Sequence, residues 1–218
     1  MDRTLLVLDT TRDPAAIHLT REGGASCALT LPARNLAERL PEALRDFLAA
    51  QDTRADELTG VFVLLGPSGY TGTRIGITTA WAMHLAHRMP VYGAGNLEVA
   101  ARAWGGPDAF LVALDAGRGE LYLLGRHGES EWLAPCAMSR EGAEALQMPD
   151  GSLPLHVGIG WTGEAPDEFD NALLAIAWEA AYTGTPLEDM AIRPIHLDRP
   201  KPEFRPPAGW VPPAEDAL

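Results

Sequence analysis

Apolar and polar positions change period several times along this chain, and each change marks an element. Residues 4–8 form an unbroken apolar run that stops at Asp9, as a buried strand would. Residues 15–20 and 25–31 read as two more strands, joined through Gly23-Gly24 as an antiparallel hairpin. Over residues 35–51 the period becomes helical. Leu36, Leu40, Leu44, Phe47 and Leu48 share a stripe, with Glu38, Arg39, Glu42, Arg45 and Asp46 away from it. Pro41 interrupts that stripe and predicts either a kink or a helix start nearby. A second apolar run, residues 61–65, ends at Gly66-Pro67. A Gly-rich turn follows, then a helical pattern to His87: strand, tight loop, helix. Residues 91–93 make a short strand, and Asn96 is placed to cap a helix over residues 97–104.

Gly105-Gly106-Pro107 breaks the chain, and the opening pattern then returns. Residues 109–114 are apolar and close on Asp115, and residues 120–126 and 131–137 continue as strands. This echo of residues 4–31 predicts an internal duplication. A short helix over residues 140–148, a strand over 155–159 and a helix over 171–182 follow, the last with Leu174, Ala177, Trp178 and Ala181 on one stripe. Beyond Thr185-Pro186 prolines crowd the chain, and composition predicts an extended or disordered tail. The expected division is a lobe over residues 1–106, a smaller lobe over 107–190 and a tail over 191–218.

The helix before His87 carries Gly72, Gly76 and Ala80 four residues apart, on one nearly smooth face. A glycine inside a helix costs roughly 0.5–1 kcal/mol relative to alanine. Two on one stripe imply close approach to the backbone, either by the chain's own domain or by a second polypeptide. The second alternative predicts that Gly76→Leu leaves the monomer folded and abolishes partner binding.

Three segments carry a family likeness: LLVLDTT from Leu5, GPSGYTGTRIG from Gly66 continuing to VYGAGNLEVAA, and LVALDAGRGELY from Leu111. In this order and spacing they resemble the TsaB (YeaZ) family, whose loop usually reads Gly-Pro-Gly-Ser-Phe-Thr-Gly-Leu-Arg-Ile-Gly. The likeness covers most of residues 4–122. It implies an α/β chain with the actin-like ATPase (ribonuclease H-like) fold, two duplicated lobes with mixed sheets. It also implies a non-catalytic, cytoplasmic subunit of the bacterial machinery that makes threonylcarbamoyladenosine in tRNA, next to the anticodon. Its partners would be the catalytic subunit TsaD and the ATPase TsaE, or a second copy of itself, with tRNA touched only indirectly. Carried onto this chain, the contact falls on residues 35–50 and 71–87, with Leu36, Leu40, Leu44, Gly72, Ile75, Gly76, Thr79, Ala80 and Met83 as its residues. Asp9, Thr10, Thr11 and Arg74 would be the remnant of an anion or nucleotide site. The fold usually opens Asp-x-Gly-x-Thr, its glycine letting the backbone reach a phosphate, and here Thr11 replaces that glycine.

Composition narrows the chemistry. The net charge is −13 and Lys201 is the single lysine, so no basic patch offers to grip a phosphate backbone unaided. Mean hydropathy is near zero, and no apolar run reaches the ~20 residues that spanning a membrane requires. Two cysteines, Cys27 and Cys136, suit small buried residues in a reducing cytoplasm. The central loop lacks the Gly-Lys-Ser/Thr of a Walker A motif, and no Gly-x-Ser-x-Gly elbow occurs. His84 and His87 either share a metal or are surface residues, and the His-x-x-x-His of TsaD is missing. Arg74, near a helix start, opposes the macrodipole and calls for an acidic or anionic partner. Asp115, Arg118 and Glu120 read as a turn cluster. No catalytic residue, metal or cofactor is expected. A small kinase or ATPase of the same fold is the alternative.

Overall fold

The structure, a computed structural model, describes residues 3–24, 26–104, 109–128, 130–148, 150–162, 168–187 and 194–197. The first sheet is built from β1 (Thr4–Asp9), β2 (Ala15–Arg21), β3 (Ser26–Leu31), β4 (Gly60–Leu64) and β5 (Val91–Ala94), in the order β3-β2-β1-β4-β5. The first three strands pair antiparallel, and β4 and β5 join β1 in parallel. β1 and β4 are buried on both faces, which is why they read as unbroken apolar runs. Only the edge strand β3 alternates.

Helix α1 (Leu36–Ala50) leads from β3 to β4, and α2 (Tyr70–His87) from β4 to β5. Both cover the face that carries Leu6, Leu8, Ile17, Leu19, Val61 and Val63. Pro41 lies inside α1, so it neither starts nor stops the helix. An interior proline costs about 3 kcal/mol. Burying Leu36, Leu40, Leu44, Phe47 and Leu48 on either side of it returns about 1.5–3 kcal/mol each, and the helix runs through.

The second sheet repeats the plan. β6 (Ala109–Gly117), β7 (Glu120–His127), β8 (Ser130–Ser139) and β9 (Leu155–Val157) lie in the order β8-β7-β6-β9, antiparallel, antiparallel, parallel, as in β3-β2-β1-β4. α4 (Arg140–Glu144) precedes β9 as α1 precedes β4, if α3 is taken as Asn96–Trp104. A four-residue α5 (Ile159–Thr162), absent from the sequence reading, follows β9 in the place of α2. The chain is thus α/β with two mixed sheets in the ribonuclease H-like, actin-like order. α4 is shorter than its pattern because the chain turns back at Met148, whose N–H donates to the Ser152 carbonyl at 2.8 Å.

The chain forms two units, Met1–Val99 with Asp170–Ile195, and Ala100–Phe169 with His196–Leu218. Helix α6 (Phe169–Thr183) therefore belongs largely to the first unit, unlike the expected lobe over residues 107–190. The reason lies in its contacts with the first sheet. Trp178 Nε1 donates to Thr20 Oγ1 at 3.1 Å, Tyr182 donates to Glu22 at 2.6 Å, and Arg3 donates to the Ala181 carbonyl at 2.6 Å. α6 buries Phe169, Ala172, Leu173, Ile176 and Ala177, so of the predicted stripe Ala177 is buried and the rest of the buried face lies beside it. Farther on, the Leu187 and Ile195 N–H groups donate to Val91 and Leu65 carbonyls, both at 2.7 Å. Residues 105–107 and all of the expected tail but 194–197 lie outside the described residues. Cys136 is buried, which pushes its thiol up to about 11, and Cys27 is half-buried. Among the described residues no helix is long and apolar enough to cross a membrane.

Candidate functional site: a committed carboxylate and an open helical groove

β1 ends at Asp9, which is fully buried. A buried carboxylate costs several kcal/mol unless it is paired and hydrogen-bonded. Here both oxygens are committed. Oδ1 accepts from the Thr11 N–H at 3.0 Å and the Thr11 hydroxyl at 2.6 Å, and Oδ2 accepts from Arg12 Nε. Arg12 Nη2 then donates to Asp170 Oδ1 on α6 at 2.6 Å. Burial works against the guanidinium charge, but Asp9 and Asp170 outweigh it, so Arg12 holds its proton more firmly than usual. His18 on β2 is buried with Nε2 3.7 Å from Asp170 Oδ2, and burial chiefly holds its pKa below the ordinary value.

The network continues to β4 and α3. Asn96 Nδ2 donates to Thr11 Oγ1 at 2.6 Å, and Asn96 Oδ1 accepts from the Gly66 N–H at 3.0 Å. Gly66 has φ +92°, a conformation that favours glycine. The Asn96 amide is therefore a clamp between two strand ends rather than the helix cap predicted for it. Replacing it with alanine strands a buried N–H, which costs about 1–3 kcal/mol. We expect Asn96→Ala to lower the melting temperature by roughly 2–10 °C, measured by circular dichroism.

The small-residue stripe of α2 is turned toward this same end of β1. Thr10 Oγ1 donates to the Gly72 carbonyl at 2.8 Å. A Cβ at Gly72 would land on the Thr10 carbonyl oxygen. One at Gly76 would land on Thr10 Oγ1, 3.3 Å from Val63 Cγ2. Ala80 is fully buried. Of the two alternatives left by the spacing, close packing within the domain is the one the chain adopts, which corrects the placement of this stripe on a partner face. Leu36 and Leu40 are core residues as well.

Ile75, Thr79 and Met83 lie elsewhere, along an open groove of about 1350 Å³ between α1 and α2, which Leu44, itself a core residue, also lines. Leu48, Ala82 and Ala86 add to its apolar lining, and Arg45, Arg54, Arg74 and Asp52 supply polar parts. Arg74 stacks on the Tyr70 ring, 4.0 Å from its centroid, and is exposed. It does not join Asp9, Thr10 and Thr11, so the supposed anion-site remnant splits between two places. His84 Nδ1 meets the Met89 carbonyl at 2.8 Å. Asp115 Oδ1 accepts from the Gly117 N–H at 2.8 Å, which makes it a turn residue.

Sequence reasoning passed over the outward face of α2. Tyr70, Trp81 and Leu85 are 66%, 42% and 66% exposed. With Arg74 and Thr78 they recur every three or four residues, a second stripe opposite the glycines. An amphipathic surface helix has one apolar face, and α2 has two.

A protein-family model described as TsaD, tRNA N6-adenosine threonylcarbamoyltransferase, matches residues 18–147. The tRNA threonylcarbamoyladenosine biosynthesis protein TsaB of Escherichia coli is 29% identical over 121 residues, 54% of this chain and 52% of that protein. Its Bacillus subtilis namesake is 30% identical over 121 residues, 55% of this chain and 53% of that protein. These alignments span about half the length of either relative. Among solved structures, YeaZ from Pseudomonas aeruginosa superposes with a TM-score of 0.72 at 22% identity, covering 89% of this chain and 100% of that one, which establishes the shared fold.

Proposed function

Because the chain belongs to the family that the TsaD model describes, and within it to the TsaB (YeaZ) proteins, we propose that it works in threonylcarbamoyladenosine biosynthesis on tRNA. Its role there is that of a non-catalytic cytoplasmic subunit. The α1/α2 face docks on TsaD, the pair supports recruitment of the ATPase TsaE, and a second copy of this chain takes the same face when TsaD is absent.

The observation that carries this reading is the doubly apolar α2. Its inward face, Gly76, Ile77 and Ala80, is covered by the chain's own sheet. Its outward face, with Tyr70, Trp81 and Leu85 beside an open groove, is of the kind that marks protein–protein contact. The Asp9 carboxylate, fully buried with both oxygens hydrogen-bonded within the chain, supports a non-catalytic role, since burial keeps it from a substrate. A net charge of −13 favours contact with tRNA through the partner.

The test is a tRNA modification assay with TsaD and TsaE from the same cell, adding and omitting this chain. Modification is expected only when the chain is present. Full modification in its absence overturns the reading.

A further inference from the structure

At the end of β1 the residues do not fit the group that the fold implies. In the Asp-x-Gly-x-Thr form of this turn the glycine gives a phosphate room and the carboxylate stays open to a cation. Here Thr11 brings a side chain to the glycine position and turns its hydroxyl onto Asp9. Gly72 brings the first turn of α2 against the Thr10 carbonyl, so no gap for a phosphate is left between strand end and helix. Arg12 supplies the positive charge. We infer that Arg12 is a built-in cation, whose guanidinium neutralises Asp9 and pins α6 through Asp170, so that the chain itself shuts the turn where the fold would hold a phosphate and its metal.

Three observations point the same way. The guanidinium reaches Asp9 through Nε and, 158 residues on from Arg12, Asp170 through Nη2, a forked bridge whose rigid two-atom spread a lysine's point charge does not reproduce. The Asp9 end of the bridge is sheltered, with the Arg12 side chain 20% exposed and the Asp9 side chain fully buried, while the Asp170 side chain at its other end is 46% exposed. His18 lies beside it with a buried Nε2 that has no hydrogen-bond partner among the described residues, and it faces Asp9, Arg12 and Asp170. With Arg12 in place this imidazole has no need to carry the counter-charge. The inference is independent of the tRNA reading, because it concerns how one unit is held together.

The experiment uses the full chain and its Arg12→Ala, Arg12→Lys and Arg12→Met variants. Arg12→Ala is expected to melt about 5–10 °C below the wild type, because an uncompensated carboxylate stays buried. Arg12→Lys falls between them. Low-millimolar methylguanidinium raises the midpoint of Arg12→Ala and leaves the wild type unchanged. By NMR, the His18 ring titrates at higher pH in Arg12→Ala, since Arg12 lowers its proton affinity while Asp9 and Asp170 raise it. Because burial is the chief cause of the lowered value and Arg12→Ala also opens the site, Arg12→Met, which keeps most of the bulk without the charge, must move the titration the same way; a merely space-filling Arg12 would leave it unmoved there. An Arg12→Ala midpoint equal to wild type, an unmoved His18 titration, or a rise in the wild-type midpoint with magnesium and ATP each overturns the inference. Should Arg12→Ala fail to fold, the lysine variant decides, and a wild-type midpoint there overturns it.

Discussion

Gly76→Leu is expected to destabilise the first unit outright, instead of leaving a folded chain with a disabled surface. The first added carbon already meets Thr10 Oγ1, and Val63 Cγ2 stands 3.3 Å away. Neither neighbour can retreat. Thr10 is 2% exposed and holds the Gly72 carbonyl, and Val63 is fully buried in β4. Overpacking of this kind costs about 1–3 kcal/mol and occasionally more. The Thr10 bond adds about 1 kcal/mol if it breaks. Helix propensity returns up to about 1 kcal/mol, because glycine is the poorer helix former. The net loss, about 1–3 kcal/mol, is a sizeable part of the 5–15 kcal/mol by which domains are usually stable. A thermal melt should show a midpoint lower by roughly 2–12 °C. Gly76→Ala already carries the offending carbon and should move the same way by less. A Gly76→Leu midpoint within a degree of wild type would sink the packing account and return the glycine stripe to a partner.

Which parts of the chain were legible depended on how local their causes are. β1 and β4 announced themselves because strands buried on both faces must be apolar throughout. Gly23-Gly24 gave the hairpin, and the Asp9/Asp115 echo gave the duplication, since each is written within a few residues. Spacing also placed Gly72, Gly76 and Ala80 together on one face. What meets that face is a tertiary fact, and here it is Thr10, some 60 residues upstream in the chain.

The same limit explains the site. Asp9 and Asp115 close similar strands, and each accepts a backbone N–H two residues on, from Thr11 and Gly117. Asp9 is buried and Asp115 exposed, because Arg12 folds back over one and reaches Asp170 on α6. No local pattern contains that contact. α6 was assigned to the wrong lobe for a related reason, as its tie to Thr20 spans 158 residues. The outward stripe of α2, by contrast, is local: Tyr70, Trp81 and Leu85 follow from the same helical spacing that aligns the glycines on the opposite face.

Ala82→Arg is expected to leave the fold intact and abolish docking on the α1/α2 face. Ala82 is exposed on α2 and lines the groove, so its substitution disturbs no core contact. Arginine is a good helix former, and surface changes of this kind usually stay within about 0.5 kcal/mol. The melting midpoint should therefore move by no more than about 2 °C. A helix seated in the groove, however, would have to bury the new guanidinium unpaired or be held away from Ile75 and Met83. Burying an unpaired charge costs several kcal/mol. Even about 3 kcal/mol weakens binding roughly 100-fold. Titration calorimetry with TsaD should show that loss, and the tRNA modification assay should fall with it. Any self-association of the purified chain should disappear together with TsaD binding in analytical ultracentrifugation, because both occupants are proposed for one face. Glu98→Arg adds the same side chain on α3, outside the groove, and should bind as wild type does. The comparison with Gly76→Leu is then decisive: one variant loses its partner at unchanged stability, the other loses stability. Undiminished TsaD affinity in Ala82→Arg would place the docking surface elsewhere on the chain.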